Sequence, residues 1–439
     1  MKLKTSQLGE LRIDVNAVKG DPGHPAILAK YSPLEIDYKT TVNQTLCPFS
    51  NDYFEQQVAL YEEISGRRLN QEDGELHLAN ADELIASSNP LGLRDVAQMA
   101  EYSRAILAML SLANLPTEAN VLDMGAGHGV SSELLAFCGC NVDAVDIDPV
   151  LGAVARIRAQ SRNYKIRRHD MNFDDLHDIP SDSYSGAFFY QSLHHCLRPW
   201  ELIAQLKTKL CSDGIIAFAG EPVQSLWWDH WGLRLDLESI YVAREYGWFE
   251  SGWSYDFISE CFAKNGMRLL FFTGGLKGGE IGIAATDTGT LERCRARAQE
   301  IGVREIKEPF GTGPDRYLTQ VGVPTEVIDR PGFRQNAGGD GVLMFGPYTN
   351  LAPGRYDVSV IVSYGSGPAE SLLILDMVSD QGTCEHWREE VQPSLDGSTM
   401  IFRREFELPQ GARGAEFRAR ISGVRNWTVS VPTIARCSE

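Results

Sequence analysis

From Asp95 to about residue 287, short apolar runs alternate with segments of helical periodicity. The strand candidates are Asn120 to Met124, Val142 to Asp146, Tyr164 to Arg168, Gly186 to Gln191, Ile215 to Gly220, Arg268 to Thr273 and Glu280 to Thr286. Parallel neighbours need a crossover of a dozen or more residues, which the helical segments supply, so the alternation predicts an α/β fold with a doubly wound parallel sheet. The last two candidates break the pattern. Between them stand only Gly274-Gly275-Leu276-Lys277-Gly278-Gly279, a hairpin-like turn, so an antiparallel pair is predicted to close the sheet.

The remainder divides around this block. Residues 1–94 carry few patterns besides a helix after Ser50, with Phe54, Val58, Tyr61 and Ile64 on one face and Gly66 as its stop; they read as a helical cap on the acceptor side, where Tyr31, Tyr38 and Tyr53 could help close a pocket. A second amphipathic helix runs from Asp95 to Leu112 and opens the α/β domain of 95–287. Residues 288–336 read as a charged helix and a linker. Beyond them, Tyr356, Val358, Val360, Val362 and Tyr364 alternate with Asp357, Ser359, Ile361 and Ser363, and the signature recurs around Phe417 and Val429. Period-2 runs between short turns predict an all-β sandwich over 337–439.

Charge narrows the partners. With 41 basic and 59 acidic residues the net charge is -18, which repels a phosphate backbone and argues against nucleic acid. No uninterrupted apolar run approaches the roughly 18 residues of a membrane span, and the basic start lacks the apolar stretch of a signal peptide, so a cytoplasmic location is expected. The nine cysteines form no C-x2-C pair and read as reduced structural thiols.

The most specific stretch is Val121-Leu122-Asp123-Met124-Gly125-Ala126-Gly127-His128-Gly129, a buried strand entering a glycine turn before a helix from Ser131 to Phe137. Glycines let backbone amides approach a ligand, and the helix offers its positive end. A dinucleotide fingerprint would need glycine where Val130 stands, so a pyrophosphate site is disfavoured. Asp123 would repel a pyrophosphate and suit an ammonium group, which S-adenosylmethionine (SAM) has without any phosphate. Asp146 ends the second strand where an acid accepts both ribose hydroxyls, and Asp170 follows the third strand, placed for the adenine edge.

Taken in order, these motifs resemble the class I SAM-dependent methyltransferases over about 190 residues, from 95 to 287. Val121 to Gly129 looks like the family's first motif and Ala144 to Pro149 like its acidic loop. His169-Asp170, Ile179 to Ser185 and Ser192-Leu193-His194-His195 are similar to its third and fourth strand ends, although Ser185-Gly186 stands where the family commonly has Phe-Asp. The resemblance implies a Rossmann-like seven-stranded sheet with an antiparallel last strand and SAM as cofactor. It sets the cofactor against Asp123, Gly125, Ala126, Gly127, Asp146, Ile147, Asp170, Met171 and Gln191.

Methyl transfer from a sulfonium is an in-line displacement that must also remove a hydroxyl's proton. The carboxyl edge of the sheet offers His194, His195, Glu221, Asp229 and His230, with His195 and His230 the preferred bases. Glu221, Asp229 and His230 would ligate a divalent cation only if they converge, which spacing does not establish, so no metal is assigned. Five of the eight tryptophans (Trp227, Trp228, Trp231, Trp248, Trp253) fall within 27 residues, suited either to stacking on sugar rings or to packing under a lid. Tyr241 to Trp253 looks like a segment of bacterial glycan-biosynthesis methyltransferases, and Phe345 to Tyr348 with Leu351 to Val358 resembles carbohydrate-binding-like modules. Together these imply O-methylation of a sugar or polysaccharide. The alternatives are a small natural-product acceptor, with the sandwich as a homo-oligomer contact, and a glycan-binding scaffold without catalysis.

Overall fold

The computed structural model describes residues 2–32, 34–70, 76, 80–173, 175–223, 230–273, 280–306, 317–328, 330–335, 340–351, 353–365, 371–379, 382–391, 399–423 and 427–437. The chain forms two compact units, one of residues 1–223 and 231–307, the other of 224–230 and 308–439.

The first unit is built on an eight-stranded sheet of β1 (Asn120–Met124), β2 (Asn141–Asp146), β3 (Ile166–Asp170), β4 (Tyr184–Tyr190), β5 (Leu210–Ala219), β6 (Arg268–Thr273), β7 (Ile281–Ala285) and β8 (Arg304–Ile306). Their order across the sheet is β8-β6-β7-β5-β4-β1-β2-β3. The first five run parallel, and β7 lies antiparallel between β5 and β6. β1 sits centrally and is buried over Val121–Met124, as a strand covered on both faces must be. The antiparallel closing pair is therefore present, although its turn, 274–279, lies outside the described residues.

One boundary moves. The helix Thr288–Glu300, capped by Asp287, buries Leu291, Cys294 and Ala298 in the core beside the sheet, and β8 then pairs antiparallel with β6. Residues 288–306 thus belong to the sheet unit, not to a linker, and the sheet has one strand more than predicted. A three-residue strand reading Arg-Glu-Ile is too short to show alternation.

The first 66 residues form the cap with the insertion between β5 and β6. Helices Leu8–Ala17 and Asn51–Ser65 pack on Leu237–Glu245, beside a paired Trp231–Leu233 and Ser251–Trp253. Ser50 caps the helix 51–65 through Tyr53 N–H, and Gly66 stops it at φ 73°, as its spacing predicted. Long-range hydrogen bonds join the parts: Tyr53 Oη donates to the Trp231 carbonyl (2.5 Å), Tyr61 Oη to that of Gly247 (2.5 Å), and Trp231 Nε1 to that of Pro48 (2.8 Å).

The second unit is all-β, with one sheet of Gly322–Val327, Arg330–Gln335, Trp427–Ser430, Gly354–Tyr364 and Met400–Leu408 in that order, joined by Thr433–Arg436. The other orders Gly341–Leu351, Ala412–Ser422, Leu372–Ser379 and Cys384–Val391. Tyr356, Val358, Val360 and Val362 of one sheet and Leu373, Leu375, Met377, Phe417 and Ala419 of the other share a core. The sandwich begins at residue 322, not 337, because the linker assigned from sequence contains its first hairpin. Among the described residues no helix is long and apolar enough to cross a membrane, and all nine cysteines are free thiols.

Candidate functional site

A cavity of about 280 Å³ opens at the carboxyl edge of the parallel strands. The turn after β1 folds back on the end of β2: Gly125 and Ala126 N–H donate to the Val145 carbonyl (2.8 and 3.1 Å), and Gly127 N–H to Asp146 Oδ2 (2.7 Å). The other oxygen of Asp146 accepts from Asp148 N–H (2.9 Å), so backbone donors orient the carboxylate while it faces the cavity. Gly125 has φ 67°, and a Cβ there would stand 2.4 Å from Ser192 Cβ, so only glycine fits. Gln191, also at positive φ (53°), turns the chain after β4 into the cavity wall. Beneath this loop lies the buried Arg168, whose Nη1 donates to the Gly127 carbonyl (3.1 Å) and whose Nη2 stands 3.0 Å from Asp146 Oδ1.

The other end is walled by side chains from scattered segments: Tyr102, Phe173, Tyr190, His195 and Trp248. Tyr102 and Tyr190 meet edge to face at 4.9 Å, and His195 abuts Trp248 at 5.5 Å. Behind His195 lies a buried charged cluster. Glu221 accepts from the backbone N–H of Ser192, Leu193 and His194 (2.9, 3.0 and 3.1 Å) and pairs with His194 Nδ1 at 2.7 Å. His194 Nε2 stands 3.3 Å from Glu250 Oε2, and Arg234 Nη1 is 3.3 Å from the same oxygen. Burial opposes charge on His194, but the Glu250 and Glu221 carboxylates outweigh it and raise its pKa to about 10. Burial, reinforced by the positive His194, instead lowers His195 to about 4. Burial also works against the charge of Glu250, yet His194 holds it down to about 2.

Comparison with known proteins decides what this arrangement is. Residues 122–218 match the family described as Methyltransferase domain. They are a methyltransferase domain. Its cofactor is SAM, in keeping with the acidic strand end and glycine turn. A ubiquinone biosynthesis O-methyltransferase of Xanthomonas axonopodis pv. citri is 31% identical over 99 residues, 23% of this chain and 41% of that protein. A homologous enzyme of Xanthomonas oryzae pv. oryzae, of the same name, is 31% identical over 98 residues, 22% of this chain and 39% of that protein. The chain therefore spans about two fifths of the length of these curated relatives. A solved SAM-dependent methyltransferase from Mesorhizobium loti is similar at 17% identity, with 42% of this chain and 97% of that one covered and a TM-score of 0.34.

Within the methyltransferase domain, the structure brings Gly125, Ala126, Gly127, Asp146, Ile147, Met171 and Gln191 together on the cavity wall. Asp123 is not among them. Its carboxylate turns into the first turn of the helix Val130–Phe137, where Ser131 Oγ (2.8 Å) and Ser132 Oγ donate to it, and burial raises its pKa to about 6. Asp170 is not on the cavity wall either: it pairs with Arg156 (2.5 Å) and lies 3.8 Å from Arg168 Nε, packed against the helix Pro149–Arg162.

Of the predicted catalytic residues among those described, only His195 lines the cavity. His194 and Glu221 are sealed behind it, Glu221 as the acceptor that shapes residues 192–195. His230 is half-buried and not part of the cavity wall, and Asp229 lies outside the described residues together with Trp227 and Trp228. Trp231 and Trp253 are buried in the cap, leaving Trp248 as the described tryptophan of that group on the cavity. Tyr31 and Tyr53 are buried in the cap core and Tyr38 is exposed; none lines the pocket. Sequence reasoning missed Tyr102, Tyr190 and the buried role of Glu250. An apolar tyrosine face on the helix Val96–Ala113 was the only available signal for the first.

Proposed function

We propose that the protein is a SAM-dependent O-methyltransferase that modifies a hydroxyl on a ring-bearing acceptor seated against His195 and Trp248. The observation that carries this reading is the continuity of the cavity. Its lining runs from Asp146 and Gly127 at the ribose end to His195 and Trp248 at the other, so donor and acceptor would share one continuous cavity.

Two acceptor classes fit. A terminal sugar unit would use the flat face of Trp248 with the hydrogen-bonding groups of Gln191, Ser192 and His195. A small aromatic hydroxyl compound is favoured by the rings of Tyr102, Tyr190, Phe173 and Trp248, and by the name that the Xanthomonas relatives carry. The deciding experiment is transfer of labelled methyl from SAM, by full-length protein, to panels of glycans and of small phenolic and hydroxylated metabolites. Label in either panel identifies the acceptor class. SAM binding with no transfer to any hydroxyl acceptor would count against O-methylation.

A further inference from the structure

The cluster behind the acceptor wall has a geometry that a proton-sharing ion pair does not require. His194 presents Nδ1 to Glu221 at 2.7 Å and turns Nε2 towards Glu250, 3.3 Å away. His195 points its own Nε2 at the other oxygen of Glu250, 3.8 Å away. One ligand atom from each of His194, His195 and Glu250 lies within 4.8 Å of the others. All three side chains are largely withdrawn from solvent, yet His195 also forms part of the cavity wall.

We propose that His194, His195 and Glu250 bind one first-row transition-metal dication at the acceptor end of the cavity. Two imidazoles and one carboxylate are the donor set that such ions prefer, whereas magnesium and calcium favour oxygen alone. Metal–ligand bonds of about 2.0 to 2.2 Å set two ligands of a tetrahedral ion roughly 3.3 to 3.6 Å apart, so the pairs at 3.3 and 3.8 Å need little change and the widest pair, within 4.8 Å, closes by side-chain rotations of roughly 1 Å. Glu221 supplies a further mark of a metal histidine: a carboxylate on the ring nitrogen turned away from the ion, fixing tautomer and orientation. The ion takes the place of the proton shared between His194 Nε2 and Glu250, which leaves to water. Three protein ligands leave a coordination position open, and His195 brings the site to the cavity surface.

The catalytic use of this ion rests on the methyl-transfer reading; its binding does not. The acceptor oxygen would coordinate at the open position and lose its proton to water. That oxygen then forms its bond to the methyl carbon as the sulfur–methyl bond breaks, its electron pair leaving with sulfur, and SAM becomes the neutral thioether S-adenosylhomocysteine.

The test uses full-length protein stripped with a chelator, dialysed against zinc and analysed for bound metal, with cobalt(II) as a spectroscopic substitute. The expected result is one zinc per chain and a visible cobalt absorption band. Both should weaken at least about tenfold in His195→Ala and in Glu250→Gln. Absence of zinc above a buffer blank, or equal retention in wild type and both variants, overturns the proposal. Because His195 is only part of the cavity wall, its variant remains informative if Glu250→Gln fails to fold. SAM binding is measured calorimetrically on the same samples. Metal retention without SAM binding would refute the methyltransferase reading while upholding the metal site, and SAM binding without metal would do the reverse.

Discussion

The two ends of the cavity are made in different ways. At the cofactor end, consecutive residues at strand tips hold the ligand position with backbone groups: Gly125, Ala126 and Gly127 N–H are all engaged with Val145 or Asp146. At the acceptor end, Tyr102, Tyr190, His195 and Trp248 come from separate segments and meet through side chains. The first end is specified by local chain geometry, so it is intolerant of a Cβ at Gly125, where the backbone and Ser192 leave no room. The second is specified by packing, so its side chains can be exchanged without breaking the cofactor site.

The contrast is sharpened most by Gly125→Ala. The new Cβ collides with Ser192 in a backbone conformation that disfavours side chains, and SAM affinity is expected to fall by about 100-fold or more, measured by calorimetry. Asp146→Ala should follow, with a loss of roughly 1 to 3 kcal/mol in SAM binding as the ribose acceptor disappears. Equal affinity in either folded variant would break the claim that this end holds the cofactor. His195→Ala should behave oppositely, with turnover down by at least about tenfold while SAM affinity changes less than about twofold. A parallel loss of both would mean that the two ends are not separable.

Asp123→Asn tests the hidden side of the same loop. Burial raises the carboxyl's pKa from its ordinary value to about 6, so the folded state holds the proton more tightly than the unfolded state does. Its contribution is favourable at low pH and declines as pH rises through about 4 to 6, leaving a penalty of order 3 kcal/mol at neutral pH. The variant should therefore melt higher at pH 7 and lose slope between pH 4 and 6; a lower Tm with unchanged slope would show that the serine bonds need the charge. The smallest effect is expected from Asp170→Ala, since its carboxylate serves Arg156: SAM affinity should stay within about twofold.

The same division explains what could be read from the sequence. Gly127 and Asp146 were legible as cavity residues because their placement follows from a strand end and a glycine spacing, and both face the cavity. The closing β6–β7 pair was legible because six residues cannot cross a sheet. Asp123 and Asp170 sit at equally suggestive strand ends, but nearby partners captured their side chains: Ser131 and Ser132 in one case, Arg156 in the other. No local pattern could reveal that. Glu250 and His194, 56 positions apart in the numbering, meet only through folding, as do Tyr61 and Gly247 in the cap. β8 was invisible for a simpler reason, its three residues carrying too few side chains to show a period.

The bond from Tyr53 to Trp231 spans 178 residues of chain. On a ribosome adding about 5 to 20 residues per second, the earlier partner waits roughly 10 to 35 s for the later one to be made. During that delay Leu8, Leu11, Tyr61 and Ile64, all fully buried once folding is complete, have no insertion to pack against. Until the insertion is made these side chains stay open to water, and slower translation of the middle of the chain lengthens that exposure.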